Sequence, residues 1–417
     1  MRILFLADVP LDNPTSGSEQ VLNHQATGLA RDGMEVFAIT RQSAHPAWTI
    51  KNIDGICEGS YRASVEDIRG SLFSLVKYPF KFYRRFTQDG TFQAAACHQP
   101  FNCFSLLIMG KLQDVPLLYV FHSPSHEEYS LLHGNRNWLT NLPHVETRRM
   151  IERFCIKRAV KIMVLSRYMK QKVQDIHGIS AHRIVVNPGG VNLDRFKPPQ
   201  DRESLKDKLG FPKGKIHLLT VRNLEPRMGL NNLLRCMRIL KKNQKGVHLI
   251  LVGEGIEKQN MENLIEEYGL LDEVTMAGFI SSDFLPHYYG ASDFFILPSR
   301  ELEGFGLVTP ESLACGTPVL GTPVGGTNEI LSGLDPGFLF RDTSPEAMVQ
   351  GIQKAIARFY PDTQRYERLR HMCREYAAKS YSWQRHTNQL RLTLDEVVAS
   401  KNKTSLERVW QKPESHE

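Results

Sequence analysis

The sequence predicts an α/β protein of two doubly wound parallel sheets, and three observations carry that expectation. Short apolar runs alternate with longer amphipathic ones in the first half; the alternation restarts in the second half; and a segment rich in proline, glycine and charge separates the two series. In the first series Ile3–Ala7 reads as a strand, Gln20–Arg31 as a helix and Val36–Thr40 as the next strand, with Gly33 marking the break before it. The theme continues through a strand at Leu117–Phe121, a helix at Val145–Arg158 and a strand at Lys161–Leu165. Strand, helix, strand in that order winds a parallel sheet. The second series offers strands at His217–Val221, His248–Val252, Val274–Ala277, Phe294–Leu297 and Pro318–Gly321, with helices at Asn231–Lys241 and Lys258–Tyr268. The separating segment, Asn187–Glu203, has the composition of a domain boundary and puts the linker near Gly190. The expected layout is a Rossmann-like domain over 1–190, a second over 191–380, a helix over 381–400 packing back toward the first domain, and a polar tail over 401–417. Two such sheets offer a cleft between their carboxyl edges, where open α/β folds bind ligands.

Composition bounds the function. With 417 residues and 41% hydrophobic content the chain is globular and too long for one core of ordinary size. A net charge of +7 suits anionic partners such as phosphates, but on this length it does not single out nucleic acid, and none is expected as a partner. The seven cysteines are scattered, odd in number and never form a C-x-x-C pair, which reads as reduced thiols in a cytoplasmic protein. The start, MRILFLADVP, meets Asp8 too early for a secretory signal. The apolar run Phe104–Met109 falls far short of the ~20 residues of a membrane span, so any membrane contact is expected to be peripheral, at the inner face.

The chemistry concentrates in Pro298–Ile330. Arg300–Gly306 follow the strand Phe294–Leu297 and so form a loop at its carboxyl end, while Leu307–Ala314 start a helix that tolerates Pro310 in its first turn and stops at Gly316. Gly304 and Gly306 permit close backbone approach, and the amides opening the helix attract an anion such as a diphosphate. Glu303 and Glu311 can face one crevice from loop and helix, and carboxylates accept well from sugar hydroxyls. Each glutamate alone would read as a solvated charge; this glycine-rich strand-to-helix setting argues otherwise. A second strand-loop-helix element, Val221–Leu234, brackets its loop with Arg222 and Arg227, guanidinium groups suited to phosphate or, more plainly, to pairing with Glu225 or another carboxylate.

Together, Glu303 and Glu311 in an E-x7-E spacing, the Arg222/Arg227 loop, the GEG at Gly253–Gly255 and PGGVNLDRF at Pro188–Phe196 resemble the retaining family 4 of GT-B glycosyltransferases over nearly the whole chain. The resemblance implies that a sugar moves from a nucleotide-diphosphate sugar, a co-substrate rather than a cofactor, to a glycan or lipid-linked hydroxyl acceptor. It gives Glu311 the donor ribose, Glu303 the transferred sugar, and Arg222 and Arg227 the pyrophosphate, Arg227 replacing the family's usual lysine. By the same resemblance Gly304, Phe305, Gly306 and Leu307 contact sugar and phosphate through their amides, and the backbone at Ile280 meets the base. In the N-terminal half the family's Gly-Gly loop reads Ser16-Gly17, so only Gly17 carries over, beside its plain reading as a turn glycine. His122, after the strand Leu117–Phe121, takes the place of a family histidine near the transferred sugar.

Other chemistries fit less well. His122 and His126 have helical spacing for a metal, yet Pro124 disfavours a helix there, the order is not H-E-x-x-H, and no D-x-D occurs, so no metal is expected. A dinucleotide oxidoreductase would need G-x-G-x-x-G after the first strand, where NPTSGSEQ stands. A non-catalytic nucleotide-sugar binder would use the same glutamates and arginines, and turnover alone separates it from an enzyme. Leu75–Phe86 interleaves Lys77, Lys81, Arg84 and Arg85 with five aromatics, which suits an anionic membrane surface. The simpler reading, given more weight, is a helix that packs its aromatics on the sheet and leaves its charges in water.

Overall fold

The computed structural model describes residues 1–410 except 13, 43–47, 63–67, 134–137 and 244–245, with backbone alone for 68–73, 132–133, 138–141 and 402–410. The chain divides into two compact units, Met1–Pro188 with Trp383–Glu417, and Gly189–Ser382.

The first unit opens with β1 (Arg2–Leu6), α1 (Gly17–Arg31), β2 (Glu35–Gln42), β3 (Trp48–Ile53), β4 (Ile56–Arg62) and α2 (Ile68–Phe86). It continues with β5 (Ala94–Cys97), α3 (Pro100–Ile108), β6 (Leu117–Phe121), α4 (Ser125–His133), α5 (Trp138–Arg158), β7 (Lys161–Val164), α6 (Arg167–His177) and β8 (Ile184–Val186). Its sheet has the order β3-β4-β2-β1-β5-β6-β7-β8, parallel throughout except for the β3/β4 hairpin. The second unit runs α7 (Arg202–Lys208), β9 (Ile216–Val221), α8 (Leu230–Asn243), β10 (Val247–Val252), α9 (Lys258–Glu267), β11 (Val274–Gly278) and α10 (Leu285–Ala291). Then follow β12 (Phe294–Leu297), α11 (Val308–Ala314), β13 (Val319–Gly321), α12 (Gly326–Leu334), α13 (Pro345–Phe359) and α14 (Thr363–Ser380). Its sheet, β11-β10-β9-β12-β13, is parallel throughout. In each sheet the order reverses beside the first strand, between β1 and β5 and between β9 and β12, and crevices at such switch points are where open α/β sheets take ligands.

The last helix, α15 (Trp383–Trp410), belongs to the first unit and runs past its expected end at 400; of the polar tail, 411–417 lie outside the described residues. Its Leu390, Leu394 and Val397 join Ile3, Phe5, Leu22, Ala26, Val120 and Met163 in one fully buried cluster. Burial of these three side chains is worth several kcal/mol, enough to fix a long terminal helix on its unit.

Two elements depart from the expected pattern. The β3/β4 hairpin turns at Asp54-Gly55, both at positive φ (49° and 86°), which is the two-residue turn that Asp-Gly favours. Strand β5 is Ala-Ala-Ala-Cys, buried on both faces between β1 and β6, where small side chains leave no periodic signal. In Leu75–Phe86 the aromatics turn inward: Phe82 and Phe86 are buried, Tyr78 stacks on Tyr61 and Phe86 packs on Phe37. Lys77, Lys81, Arg84 and Arg85 stay exposed. No helix among the described residues is long and apolar enough to cross a membrane.

Candidate active site

In the second unit the loops after β9 and β12 flank the switch point, and they carry Arg222 and Glu303 to each other. Arg222 Nη2 donates to Glu303 Oε2 at 2.6 Å, and Ser299 Oγ donates to the same oxygen at 2.7 Å. Both partners are buried, at 9% and 7% exposure. Burial alone would raise the Glu303 pKa, but the Arg222 guanidinium, the Ser299 hydroxyl and the nearby Arg227 outweigh it and hold the carboxyl below its usual range. Arg227 Nε pairs with Glu225 at 3.0 Å, the plain partner anticipated above, while its Nη1 donates to the Leu302 carbonyl at 3.2 Å. Leu302 itself sits in the left-handed region (φ 53°), an unfavourable conformation for a branched side chain that turns this carbonyl toward Arg227. Glycines pack directly on the backbone of both partners: Gly253 lies against the Arg222 carbonyl and Gly325 against the Glu303 carbonyl, with no room for a Cβ at either. The loop is thus braced from two sides.

Glu311 belongs to a different hydrogen-bond set. It lies in the first turn of α11 and accepts from the Tyr289 hydroxyl of α10 at 3.0 Å. Burial pushes its pKa up to about 7; the Tyr289 hydroxyl and Arg195 offset this only in part. Gly306 has φ 79°, and Phe305 and Leu307 are buried, Phe305 packing edge-on to Tyr381 at 5.8 Å. Helix α11 is only seven residues long, and Thr309 N–H is already bonded to the Gly306 carbonyl, so fewer of its amides are open than the sequence suggested. Ile280 follows β11 and is partly buried, just past Gly278 in the left-handed region. The structure therefore brings Glu303, Arg222 and Arg227 together and gives Glu311 its own partner. Ser299, Tyr289 and Leu302 were missed; a serine two residues past a strand and a tyrosine on a short helix carry no pattern of their own.

In the first unit Gly17 is the first residue of α1, where Ser16 and Glu19 form a capping box, and its φ is not positive. That corrects the turn reading: Gly17 presents a helix-opening amide. His122 follows β6, and its Nε2 lies 3.1 Å from Nδ1 of His98, which follows β5. His386 of α15 stands nearby, its Nδ1 donating to the Pro188 carbonyl at 2.8 Å, so that Nε2 accepts from Gln25 at 2.9 Å. Burial lowers all three imidazoles, with neighbouring imidazoles adding to the effect on His98 and His122; His122 and His386 fall to about 4, so both are neutral near pH 7. His126 goes instead to Glu152, at 3.9 Å. Among the described residues no group of three His, Cys, Asp or Glu could hold a metal ion.

A GT-B architecture follows from comparison with solved structures. A sucrose-phosphate synthase from Thermosynechococcus elongatus superposes with a TM-score of 0.79 at 22% identity, covering 96% of this chain and 100% of that one. The Anabaena protein HepE in complex with UDP gives a TM-score of 0.71 at 20% identity over 95% of this chain and 100% of that one. The model described as glycosyl transferases group 1 matches residues 201–380, and that described as glycosyltransferase family 4 matches residues 15–195. A D-inositol 3-phosphate glycosyltransferase of Pseudarthrobacter chlorophenolicus is 26% identical over 346 residues, 79% of this chain and 80% of the relative. A GDP-mannose-dependent alpha-(1-6)-phosphatidylinositol monomannoside mannosyltransferase of Mycobacterium tuberculosis is 26% identical over 229 residues, 53% of this chain and 58% of the relative. The chain belongs to family 4 of the GT-B glycosyltransferases, and it is a glycosyltransferase enzyme.

Proposed function

We propose that the enzyme transfers a hexose or N-acetylhexosamine from a nucleotide-diphosphate sugar to a hydroxyl of a glycan or lipid-linked acceptor, retaining the anomeric configuration, in glycan or glycolipid biosynthesis. The observation that carries this reading is the convergence of Arg222, Arg227 and Glu303 on the switch point of the second unit. A diphosphate arriving there competes with Glu303 for Arg222, and the guanidinium groups then balance charge developing on the leaving diphosphate, the largest kind of term open to such an enzyme. Released from part of that pairing, Glu303 takes hydroxyls of the transferred sugar, which the amides of Gly304, Phe305, Gly306 and Leu307 help to hold. Glu311 accepts from the ribose, and the backbone at Ile280 meets the base. Gly17 and His122 serve the sugar and acceptor from the first unit, His122 as a neutral donor or acceptor. The leaving diphosphate itself takes the acceptor's proton, so retention needs no separate base, and two arginines in place of a cation make a divalent metal unnecessary.

One named relative is GDP-mannose-dependent and one named structure holds UDP, so GDP and UDP are the first nucleoside diphosphates to try. A thermal-shift panel of UDP, GDP and ADP, followed by their sugars with candidate acceptors, tests the reading. Stabilisation by none of them, or binding without release of nucleoside diphosphate on addition of any acceptor, would remove it. Loss of activity in EDTA restored by one ion would overturn the metal claim, and an inverted product by NMR would overturn retention. For Leu75–Phe86, inward aromatics and outward cations support electrostatic attraction to a membrane rather than insertion. The expected result is vesicle binding at low salt that vanishes when Lys77, Lys81, Arg84 and Arg85 become glutamine.

A further inference from the structure

At the carboxyl edge of the first sheet two arginines rest on aromatic rings and, among the described residues, pair with no carboxylate. Arg41 near the end of β2 and Arg148 on α5 both lie over the ring of Phe101, with guanidinium carbons 5.9 and 5.2 Å from its centre, and Arg148 also covers Tyr129 at 4.6 Å. Among the described residues neither guanidinium makes a hydrogen bond or an ion pair. The carboxylates around them accept their hydrogen bonds from other donors. Asp8, two residues past β1, spends one oxygen on the Phe101 N–H at 2.9 Å and the other on the Asn102 N–H at 3.1 Å, and Glu128 accepts from Ser123. Arg148 is partly withdrawn from water; burial lowers its pKa and the charge of Arg41 adds to this, while Tyr129, Asp8 and Glu128 offset it only in part. Asp8 interacts through its charge with both guanidiniums and Glu128 with Arg148, yet neither carboxylate takes their N–H donors, so two half-buried cations keep open donor forks that an oxyanion would fill. They also sit beside the switch between β1 and β5, where this sheet is expected to take its ligand.

We propose that Arg41 and Arg148 bind a phosphate carried by the acceptor. The inference rests on the glycosyltransferase reading, in that it takes the first unit as the acceptor side. Arginine pairs grip phosphate through parallel N–H donors, and contact with the Phe101 ring steadies each guanidinium. A phosphate so anchored leaves the remainder of the acceptor, a polyol or sugar, to present its hydroxyl near His98 and His122 on the neighbouring strand ends. The same chemistry fits a soluble sugar or cyclitol phosphate and a phosphoinositide-type lipid headgroup.

The test uses the full chain with saturating UDP or GDP, which occupies the phosphate positions of the second unit, and titrates inorganic phosphate at low ionic strength by calorimetry. Wild-type protein should bind phosphate; Arg41→Gln/Arg148→Gln should bind it at least tenfold more weakly with nucleotide affinity unchanged, and Arg41→Lys/Arg148→Lys should recover part of the loss. Equal phosphate affinity in the wild type and the glutamine variant overturns the proposal, as does absence of phosphate binding. If no nucleoside diphosphate binds, the donor reading fails, and the phosphate titration still decides the arginine site alone. Transfer assays then compare myo-inositol with myo-inositol phosphate, glucose with glucose 6-phosphate, and vesicles with and without phosphatidylinositol. Preference for a soluble phosphate identifies the free source, preference for the vesicle the lipid source, and equal use of unphosphorylated acceptors overturns the assignment.

Discussion

At the carboxyl edge of the second sheet a buried carboxylate meets a buried guanidinium; at the matching edge of the first, buried His98 meets half-buried His122, and buried His386 beside them meets an amide. Both edges must keep polar groups ready for a substrate while shielding them from water, and they meet the desolvation cost differently. Arg222 and Glu303 keep their charges and compensate each other. His98, His122 and His386 give up their charge, and hydrogen bonds to one another, to Gln25 and to Pro188 satisfy most of the ring nitrogens. On the proposed function the difference has a chemical reason: a charged diphosphate needs a cation that can be released to it, whereas sugar hydroxyls need neutral donors and acceptors.

The largest effect should come from breaking the charged solution. Glu303→Ala leaves Arg222 buried without its counter-ion, which should cost about 3–5 kcal/mol in unfolding free energy. It should lower turnover more than nucleoside diphosphate affinity, because Arg222 is then released to the phosphates. A denaturation midpoint close to wild type would mean that water already screens this pair. The pH responses separate the two edges. Imidazoles held near 4 and ordinarily near 6.5 stabilise the fold fully above the higher value, and that contribution is lost as pH falls through about 4. Glu311, raised to about 7, behaves oppositely: its relative contribution is complete below the ordinary carboxyl range and is lost as pH rises through 7. Glu311→Gln should therefore stabilise the protein at pH 8 by up to about 3 kcal/mol while leaving it little changed at pH 4. Thermal unfolding across this range would contradict the assignment if the wild-type and variant curves ran parallel.

Donor affinity gives a smaller effect. Arg227→Ala and Glu311→Ala should each weaken nucleoside diphosphate binding by about 1.5–3 kcal/mol through loss of a charge-assisted hydrogen bond. Ribose hydroxyls favour ionised Glu311, so wild-type affinity should rise with pH through 7, and this slope should vanish in Glu311→Ala. Unchanged affinity in both variants, measured by calorimetry, would take the nucleotide away from this loop.

What could be read from the sequence follows the same division. The parallel strands were legible, and so was the placing of Arg222, Arg227, Glu303 and Glu311 on loops and a helix start that follow strands, because strand-loop-helix punctuation is local. The Arg222–Glu303 pairing was not legible, since it joins loops 81 positions apart through the order of strands in the sheet. His98 and His386 were invisible for a related reason: β5 is a run of alanines without periodicity, and His386 lies on a helix that looked terminal and ordinary. The β3/β4 hairpin does carry a local signal, Asp54-Gly55 between two short runs.

The smallest predicted effect bears on the least charged piece of the comparison. Gly17 opens α1 with an ordinary φ, so its flexibility is not required by the backbone, and alanine there should add a few tenths to about 1 kcal/mol of stability by stiffening the unfolded chain and favouring helix. If Gly17 is merely the first helical residue, Gly17→Ala is a more stable enzyme with unaltered kinetics. If its amide and bare Cα meet the sugar or acceptor, as the proposed function has it, transfer should fall at least several-fold at saturating donor while nucleoside diphosphate affinity stays the same, because the added methyl touches only what the first unit holds. Measuring unfolding, nucleotide affinity and turnover on this one variant separates the two. A gain in stability with unchanged turnover would return Gly17 to the scaffold and leave His122, together with Arg41 and Arg148, as the remaining claim of the first unit on the acceptor.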